Sequence, residues 1–293
     1  PVKRLDARLQ VAASEAKALK HWSPVHLHLG AGDFTARVAV LEGGTIAPGD
    51  AALVQLVTDA PIAALKGDRF VLRDQSAKRT IAGGVIIDPF SPTRGRARPS
   101  RIAAVTAMEN ADPATALAAL LKVQPGGTDL GAFAIAHNLS ALAGENLFAQ
   151  SGLIQVQDGK RLWGLSTDRW NTVCVDALAA MATWHNPHPH VLGASARELI
   201  STIPDHPAEA LIKAALHHHR QADALVCRGP LFHLPGHSAQ PQPEDLALWE
   251  KTEPLLREGG LRPLRVRELT DALQIKLIQT EKFLTRAAAT GWV

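Results

Sequence analysis

Histidine is where the chemical potential of this chain is most concentrated: there are 13, and six sit in two short runs. His185, His188 and His190 punctuate the proline-broken stretch HNPHPH, and His217, His218 and His219 are consecutive at the end of a predicted helix. Metal binding needs imidazoles that converge on one point. Successive helical residues lie about 100° apart around the axis, so three neighbours cannot all face one ion. Near a helix C-terminus, protonated imidazoles instead complement the dipole. Both runs therefore read as structural, and no metal ligand set is expected. Hydrolytic signatures fail too. A phosphate-binding loop needs Gly, four residues, then Gly-Lys-Ser/Thr. The one Gly-Lys pair, Gly159-Lys160, has Ile154 at the glycine position and Arg161 at the hydroxyl position. Ser195 and Ser238 each have a glycine two residues before, but Arg197 and Gln240 stand where a nucleophile elbow needs its second glycine. No HExxH occurs. As it stands the chain is expected to be no enzyme and to hold no cofactor.

Away from the histidines, the segment Gly67–Pro89, GDRFVLRDQSAKRTIAGGVIIDP, reads on local physics as a β-hairpin with a charged tip. In Phe70–Asp74 the side chains alternate, so Phe70 and Leu72 share one face and Arg69, Val71 and Arg73 the other. The return run Thr80–Ile87 is β-branched and apolar. Gly83 and Gly84 interrupt it, which predicts a bulge or a close backbone approach. Between the strands lies a polar, basic tip.

The elements around this hairpin change character near residue 98. Before it, VKRLDARLQV, SPVHLHLG, DFTARVAVLE, AALVQLVT and FVLRD read as strands, with turns at Gly43-Gly44, Pro48-Gly49-Asp50 and Lys66-Gly67-Asp68. Short strands without helical periodicity predict a small barrel over residues 1–98. Pro89–Pro99, rich in Pro and Arg, reads as a linker. From Ser100 onward alanine and leucine recur at helical spacing, as at Ala116, Leu117, Leu120 and Leu121. Helices followed by a short hairpin then repeat with a period of about 60–70 residues. The hairpins are Leu153–Ser166 and Ala224–His237. Helix, helix, helix, hairpin is the winged-helix arrangement. The predicted domains are thus 99–165, 166–238 and 242–293, the third passing through helices at Glu244–Glu258, Val266–Leu273 and Leu277–Ala289 and stopping where its hairpin should begin. Asp112-Pro113 and Asp205-His206-Pro207 predict helix starts, and Ser195–Glu198 predicts a capping box. Trp163, Trp170, Trp184, Trp249 and Trp292 are expected to be core anchors. The fold class is multidomain α+β.

Net charge is only +3 but uneven: residues 1–98 carry 14 Lys and Arg against 9 Asp and Glu, and the rest 17 against 19. The front third is the better candidate for a phosphate-backbone partner. A solvated basic barrel without such a partner is the alternative. No run approaches the roughly 20 apolar residues needed to span a bilayer, and no secretory signal is visible. Two cysteines, Cys174 and Cys227, allow at most one bridge and fit a reducing cytoplasm; each lies in an apolar context and is expected to be a buried, inert thiol. The first residue is Pro1, which suggests a piece of something longer.

Several segments together carry a family resemblance. SPVHLHLGAGDFTARVAVLE, the Pro48–Asp50 turn, PIAALKGDRFVLRD and RTIAGGVIIDP follow in the order and spacing of the third domain of Tu-type translational GTPases. The His-Leu-His at His26–His28 and the tip QSAK (Gln75–Lys78) look more like the bacterial selenocysteine-specific elongation factors. A barrel followed by tandem winged helices, with GHSAQPQPEDLALWEKTEPLL joining the second and third, is similar to that family along essentially the whole chain. The resemblance implies a C-terminal fragment without the GTPase domain and without the last winged helix. It implies that the full protein is a GTPase using GTP and Mg that delivers selenocysteinyl-tRNA to the ribosome at recoded UGA codons. The mRNA selenocysteine-insertion hairpin would be a partner mainly through the missing winged helix, and the protein would act as a cytoplasmic monomer with no membrane association.

Carried onto matching positions, the resemblance places His26, Thr35 and Arg37 on a tRNA-facing strand surface and Asp74, Ser76, Lys78 and Arg79 on the hairpin tip. Arg94, Arg96 and Arg98 could track a backbone as well. In the third helical segment, Arg262, Arg265, Arg267, Lys276, Lys282 and Arg286 form a candidate RNA face, with helix solubility as the competing explanation. Two further readings compete: a multi-winged-helix regulator of nucleic acid, and a structural spacer or interaction module. The first is opposed by Ser140–Gln150, the first candidate recognition helix, which has no Lys or Arg and carries Glu145.

Overall fold

Six strands of alternating or continuous apolar character close into an antiparallel barrel in the computed structural model, which describes residues 1–240, 242–259 and 264–292. Pro241, Arg262 and Val293, on which sequence readings fell, lie outside the described residues. The barrel strands are β1 (Val2–Val11), β3 (Ser23–Leu29), β4 (Gly32–Val40), β6 (Ala51–Ile62), β7 (Arg69–Arg73) and β8 (Thr80–Asp88), in the order β1-β6-β4-β3-β7-β8. A small ribbon of β2 (Leu19–Lys20) and β5 (Thr45–Ile46) stands beside them. Leu5, Leu9, Leu27, Leu56, Leu72 and Ile86 fill the interior.

The alternation read from β7 holds: Phe70 and Leu72 are buried while Arg69, Val71 and Arg73 face out. Gly84 marks a close approach and not a bulge. A Cβ there would lie 2.1 Å from the Arg8 carbonyl oxygen, whereas the register shift of this ladder falls between Leu72 and Arg73.

Beyond the barrel come α1 (Pro99–Met108), α2 (Pro113–Val123), β9 (Thr128–Asp129), α3 (Leu130–Ala136), α4 (Ala141–Gln150), β10 (Ile154–Asp158) and β11 (Arg161–Leu165). β9 adds to the hairpin edge, giving the order β10-β11-β9. Residues 1–167 form one compact unit, and ion pairs bind its two parts. Arg101 on α1 donates from Nε to Asp6 Oδ2 (2.9 Å) and from Nη2 to Asp88 Oδ2 (2.7 Å), joining helix to β1 and β8. Arg8 meets Glu109 through two bonds, at 2.8 and 2.7 Å. Nor does Pro89–Pro99 behave as a free linker, because Gln55 Nε2 donates to the Pro92 carbonyl at 3.2 Å.

Residues 168–293 form a second unit. It contains α5 (Thr167–His185), α6 (Ala196–Leu199) with a 3-10 turn at Ile200–Thr202, α7 (Glu209–Gln221), β12 (Val226–Arg228), β13 (Leu231–His233), α8 (Pro243–Glu258), α9 (Val266–Leu273) and α10 (Leu277–Thr290). Ala194 bridges to Phe232 on β13, repeating the way β9 pairs with β11 in the first unit. The same succession of helix, short extended segment, two helices and hairpin thus occurs in both units.

Local signals explain most helix starts. Asp112 accepts from the Thr115 N–H at 2.8 Å. At Ser195 the capping box is reciprocal, with the Glu198 carboxylate accepting from the Ser195 N–H at 2.7 Å and Ser195 Oγ accepting from the Glu198 N–H. Ser195→Ala is expected to cost about 1 kcal/mol, read as a lower urea midpoint for the second unit. Asp205 is different: α7 starts four residues later, after Ala208, which makes no side-chain cap. Asp205 and His206 adopt φ of +60° and +43°, and Asp205 pairs with Arg169 at 3.1 Å. The chain turns here before it winds, and the carboxylate serves the ion pair with Arg169 and not a cap.

Of the expected anchors, Trp184 is buried, while Trp163, Trp170, Trp249 and Trp292 are half-buried. Trp249 and Trp292 stack at 5.1 Å. Cys174 is buried, which pushes its thiol up. Cys227 is only half-buried, because its hairpin is short; its thiol donates to the Gly229 carbonyl at 3.3 Å. Among the described residues no helix is long and apolar enough to cross a membrane.

Candidate nucleic-acid interface

The tip between β7 and β8 is built around Asp74. Its Oδ1 accepts from Ser76 Oγ (3.0 Å), the Lys78 N–H (3.0 Å) and the Arg79 N–H (3.3 Å), while its own N–H donates to the Arg79 carbonyl (3.0 Å). Desolvation pushes this carboxyl up, but the converging donors outweigh it and hold Asp74 below its ordinary range. Ala77 takes the left-handed conformation that closes the turn. Asp74 and Ser76 therefore shape the loop. Lys78 and Arg79 are exposed at its end. Arg79 reaches Glu15 at 3.3 Å; the Lys78 ammonium has no ion pair among the described residues.

The structure brings His26, Thr35 and Arg37 together. They are strand neighbours, with His26 opposite Thr35 in the β3–β4 ladder and opposite Arg73 in the β3–β7 ladder. All three line a shallow cleft of about 270 Å³ with Asp59 and Gln75. A second cleft of about 490 Å³ is lined by Lys17, Lys20, Asp74, Ser76 and Arg79. Pro24 and Gln75 line both, so the strand face and the tip adjoin. Not every polar group there is idle: Thr35 Oγ1 donates to Asp59 at 2.6 Å, and His26 Nδ1 lies 3.2 Å from Asp33. The surface thus carries donors, which suit phosphate, beside carboxylate acceptors, which suit a ribose hydroxyl.

The cations of the last helices are spread out. Arg265 and Lys276 occupy the N-caps of α9 and α10, where the helix dipole favours anions. Arg267 is exposed on α9 and Lys282 on α10. Arg286 forks onto Asp245 at 2.7 and 2.6 Å. The histidine runs diverge. His219 Nε2 meets the Cys174 carbonyl (2.7 Å), His217 packs edge-on against Phe232, and His218 against Trp170. His185 stacks on His237 and His188 on Trp184. Among the described residues no three His, Cys, Asp or Glu side chains are grouped to hold a metal. Gly159-Lys160 sits in the turn of the β10–β11 hairpin. It leads into a strand and not into a helix N-terminus, so it lacks the geometry of a P-loop.

Sequence reasoning passed over Trp22. It is exposed, lies at the entry to β3, and has the Arg37 and Arg96 guanidinium carbons 5.9 and 5.2 Å from its ring centroid. The available signal was an aromatic residue in a turn immediately before a strand bearing candidate ligands.

Residues 6–93 match the family model described as selenocysteine-specific elongation factor, beta-barrel domain. The chain is similar to the selenocysteine-specific elongation factor of Escherichia coli, with 31% identity over 252 residues, covering 86% of this chain and 38% of that protein. The Haemophilus influenzae factor of the same name is 24% identical over 292 residues, covering 98% of this chain and 45% of the relative. That of Desulfomicrobium baculatum is 24% identical over 268 residues, covering 88% and 41%. The chain thus spans less than half the length of these curated relatives.

Proposed function

We infer that this chain, whose barrel is that of the selenocysteine-specific elongation factors, is the part of such a factor that braces tRNA and carries an arm toward mRNA. The observation that carries this reading is the adjoining strand face and hairpin tip of a barrel that matches the family over residues 6–93. The whole protein delivers selenocysteinyl-tRNA to the ribosome at recoded UGA codons and acts as a cytoplasmic monomer. Its GTP and Mg sites belong to parts of the factor other than these residues.

The barrel of residues 1–98 is followed by winged helices at 99–165, 166–238 and 242–293. The repeated pairing of a short extended segment with the last strand of each hairpin supports this division for the first two. Those two serve chiefly as a spacer. α4 presents no Lys or Arg, which disfavours a DNA-reading regulator, and the ion pairs of Arg8 and Arg101 fix the first arm segment to the barrel. Arg265, Arg267 and Lys276 give the third segment a weak RNA face on the side of the mRNA hairpin.

Lys78→Ala combined with Arg79→Ala is expected to weaken tRNA binding and to reduce the slope of log K against log salt by about one to two, one for each lost phosphate contact. Anisotropy titrations of labelled tRNA at stepped KCl read both. An unchanged slope in the complete factor would sink the assignment of the tip.

A further inference from the structure

The backbone of Trp22 is left-handed, at φ +67°, a conformation that bulky side chains rarely adopt unless their surroundings over-determine it. Here they do. The His21 N–H donates to the Gly44 carbonyl (2.8 Å), the Trp22 N–H to the Val38 carbonyl (2.6 Å), and His21 Nδ1 meets the Val40 carbonyl (3.1 Å). The indole is thereby fixed at the surface, 39% exposed. Arg37 comes to it from β4 and Arg96 from the segment after β8, and Arg37 also donates to the Trp22 carbonyl at 3.4 Å.

Arg8 and Arg101 commit their forks to carboxylates. Among the described residues neither Arg37 nor Arg96 is in an ion pair. Cation–π contact holds a guanidinium plane while leaving its N–H donors unspent. Both cations stand beside one ring, so together they raise the local potential for an anion.

We propose that Trp22 positions Arg37 and Arg96 as a two-guanidinium seat for a phosphodiester of bound RNA, continuous with the cleft lined by His26 and Thr35. This rests on the RNA-binding reading above. RNA fits better than an acidic peptide because the same cleft offers the Thr35 hydroxyl and the His26 imidazole, which suit a ribose 2′-hydroxyl. Trp22 is a positioning residue: it carries no charge, yet its loss should behave like the loss of one.

The test is anisotropy of a fluorescein-labelled RNA stem-loop with the full chain at stepped KCl concentrations. Arg96→Ala is expected to reduce the slope of log K against log[KCl] by about one, and Arg37→Ala with Arg96→Ala by about two. Trp22→Ala should also lower it by about one although no charge is removed, while Trp22→Phe restores the slope. Should Trp22→Ala fail to fold, Trp22→Leu, which keeps an apolar side chain but has no π-face, takes its place with the same expected loss of about one. Wild-type slopes in both Arg96→Ala and Trp22→Ala, with a lowered slope in the Lys78/Arg79 double variant, would remove the seat and leave the RNA reading standing. Absence of salt-dependent binding by the wild-type chain would overturn both.

Discussion

Replacing Arg101 with alanine is expected to destabilise the 1–167 unit by about 3–5 kcal/mol, the cost of leaving buried charge without its partner. Asp6 is fully buried and Asp88 nearly so. Arg101 serves both, and the Gln55 amide donates to the second Asp6 oxygen at 3.0 Å. Burial already pushes the Asp6 carboxyl up, with Arg101 and then Gln55 pulling it back. Without Arg101 only the weaker hydrogen bonds of Gln55 and Ser91 oppose that push, and the folded variant takes up a proton at Asp6 more readily. The pH signature follows in sign. A folded-state pKa raised above the unfolded value makes the native variant bind more protons, so its stability deficit is largest near neutrality and narrows as pH falls through that raised pKa. Urea unfolding at several pH values, followed by Trp22 and Trp163 fluorescence, reads the effect. Arg101→Lys should recover only part of the loss, because one ammonium cannot reproduce a fork that reaches two carboxylates. A loss below about 1 kcal/mol at neutral pH would mean that the cluster behaves like a surface ion pair.

The same cluster shows what the sequence could not disclose. Asp6 and Asp88 lie on strands at opposite ends of the barrel's chain path, and Arg101 opens a helix beyond it; no local pattern relates the three. Asp6 even interrupts the alternation of β1, where Leu5, Asp6 and Ala7 are all buried. Features encoded over a few residues were legible. The β7 alternation, the Asp112 cap, the Ser195 box and the bounds of α9 each depend on neighbours in sequence. Asp205 misled because cap chemistry and turn chemistry use the same residue types. At the candidate interface, the meeting of His26, Thr35 and Arg37 follows from strand register and was anticipated through the family resemblance. The Trp22 pedestal was not, since it requires a positive φ at tryptophan and an arginine brought from the segment after β8. The first arm segment is thus locked to the barrel by side chains whose partnership only folding reveals.

Acid is expected to weaken the 168–293 unit through His185. Its ring is buried against His237, with centroids 3.6 Å apart, and its Nε2 accepts from the Leu234 N–H at 3.3 Å. Accepting that hydrogen bond requires an unprotonated Nε2. Burial first, then the nearby His237, His233 and His188, lower its pKa from 6.5 to about 4. An unfolded chain therefore takes up a proton near pH 6.5 that the native chain refuses until about pH 4. With more protons on the unfolded state, stability falls as pH drops through that window and levels off below it. The size is roughly 3 kcal/mol, at 1.36 kcal/mol for each pKa unit, a large share of what a domain ordinarily has. Urea midpoints followed by the fluorescence of Trp184, whose ring abuts His185 and His188, should therefore drop on acidification. Carboxylates contribute to any acid limb, so the decisive comparison is His185→Gln, which keeps an acceptor for Leu234 but cannot charge. It is expected to flatten the limb between pH 6.5 and 4 while leaving the steeper fall below pH 4 in place. A variant limb that overlays the wild type across that window would assign the acid sensitivity to other groups.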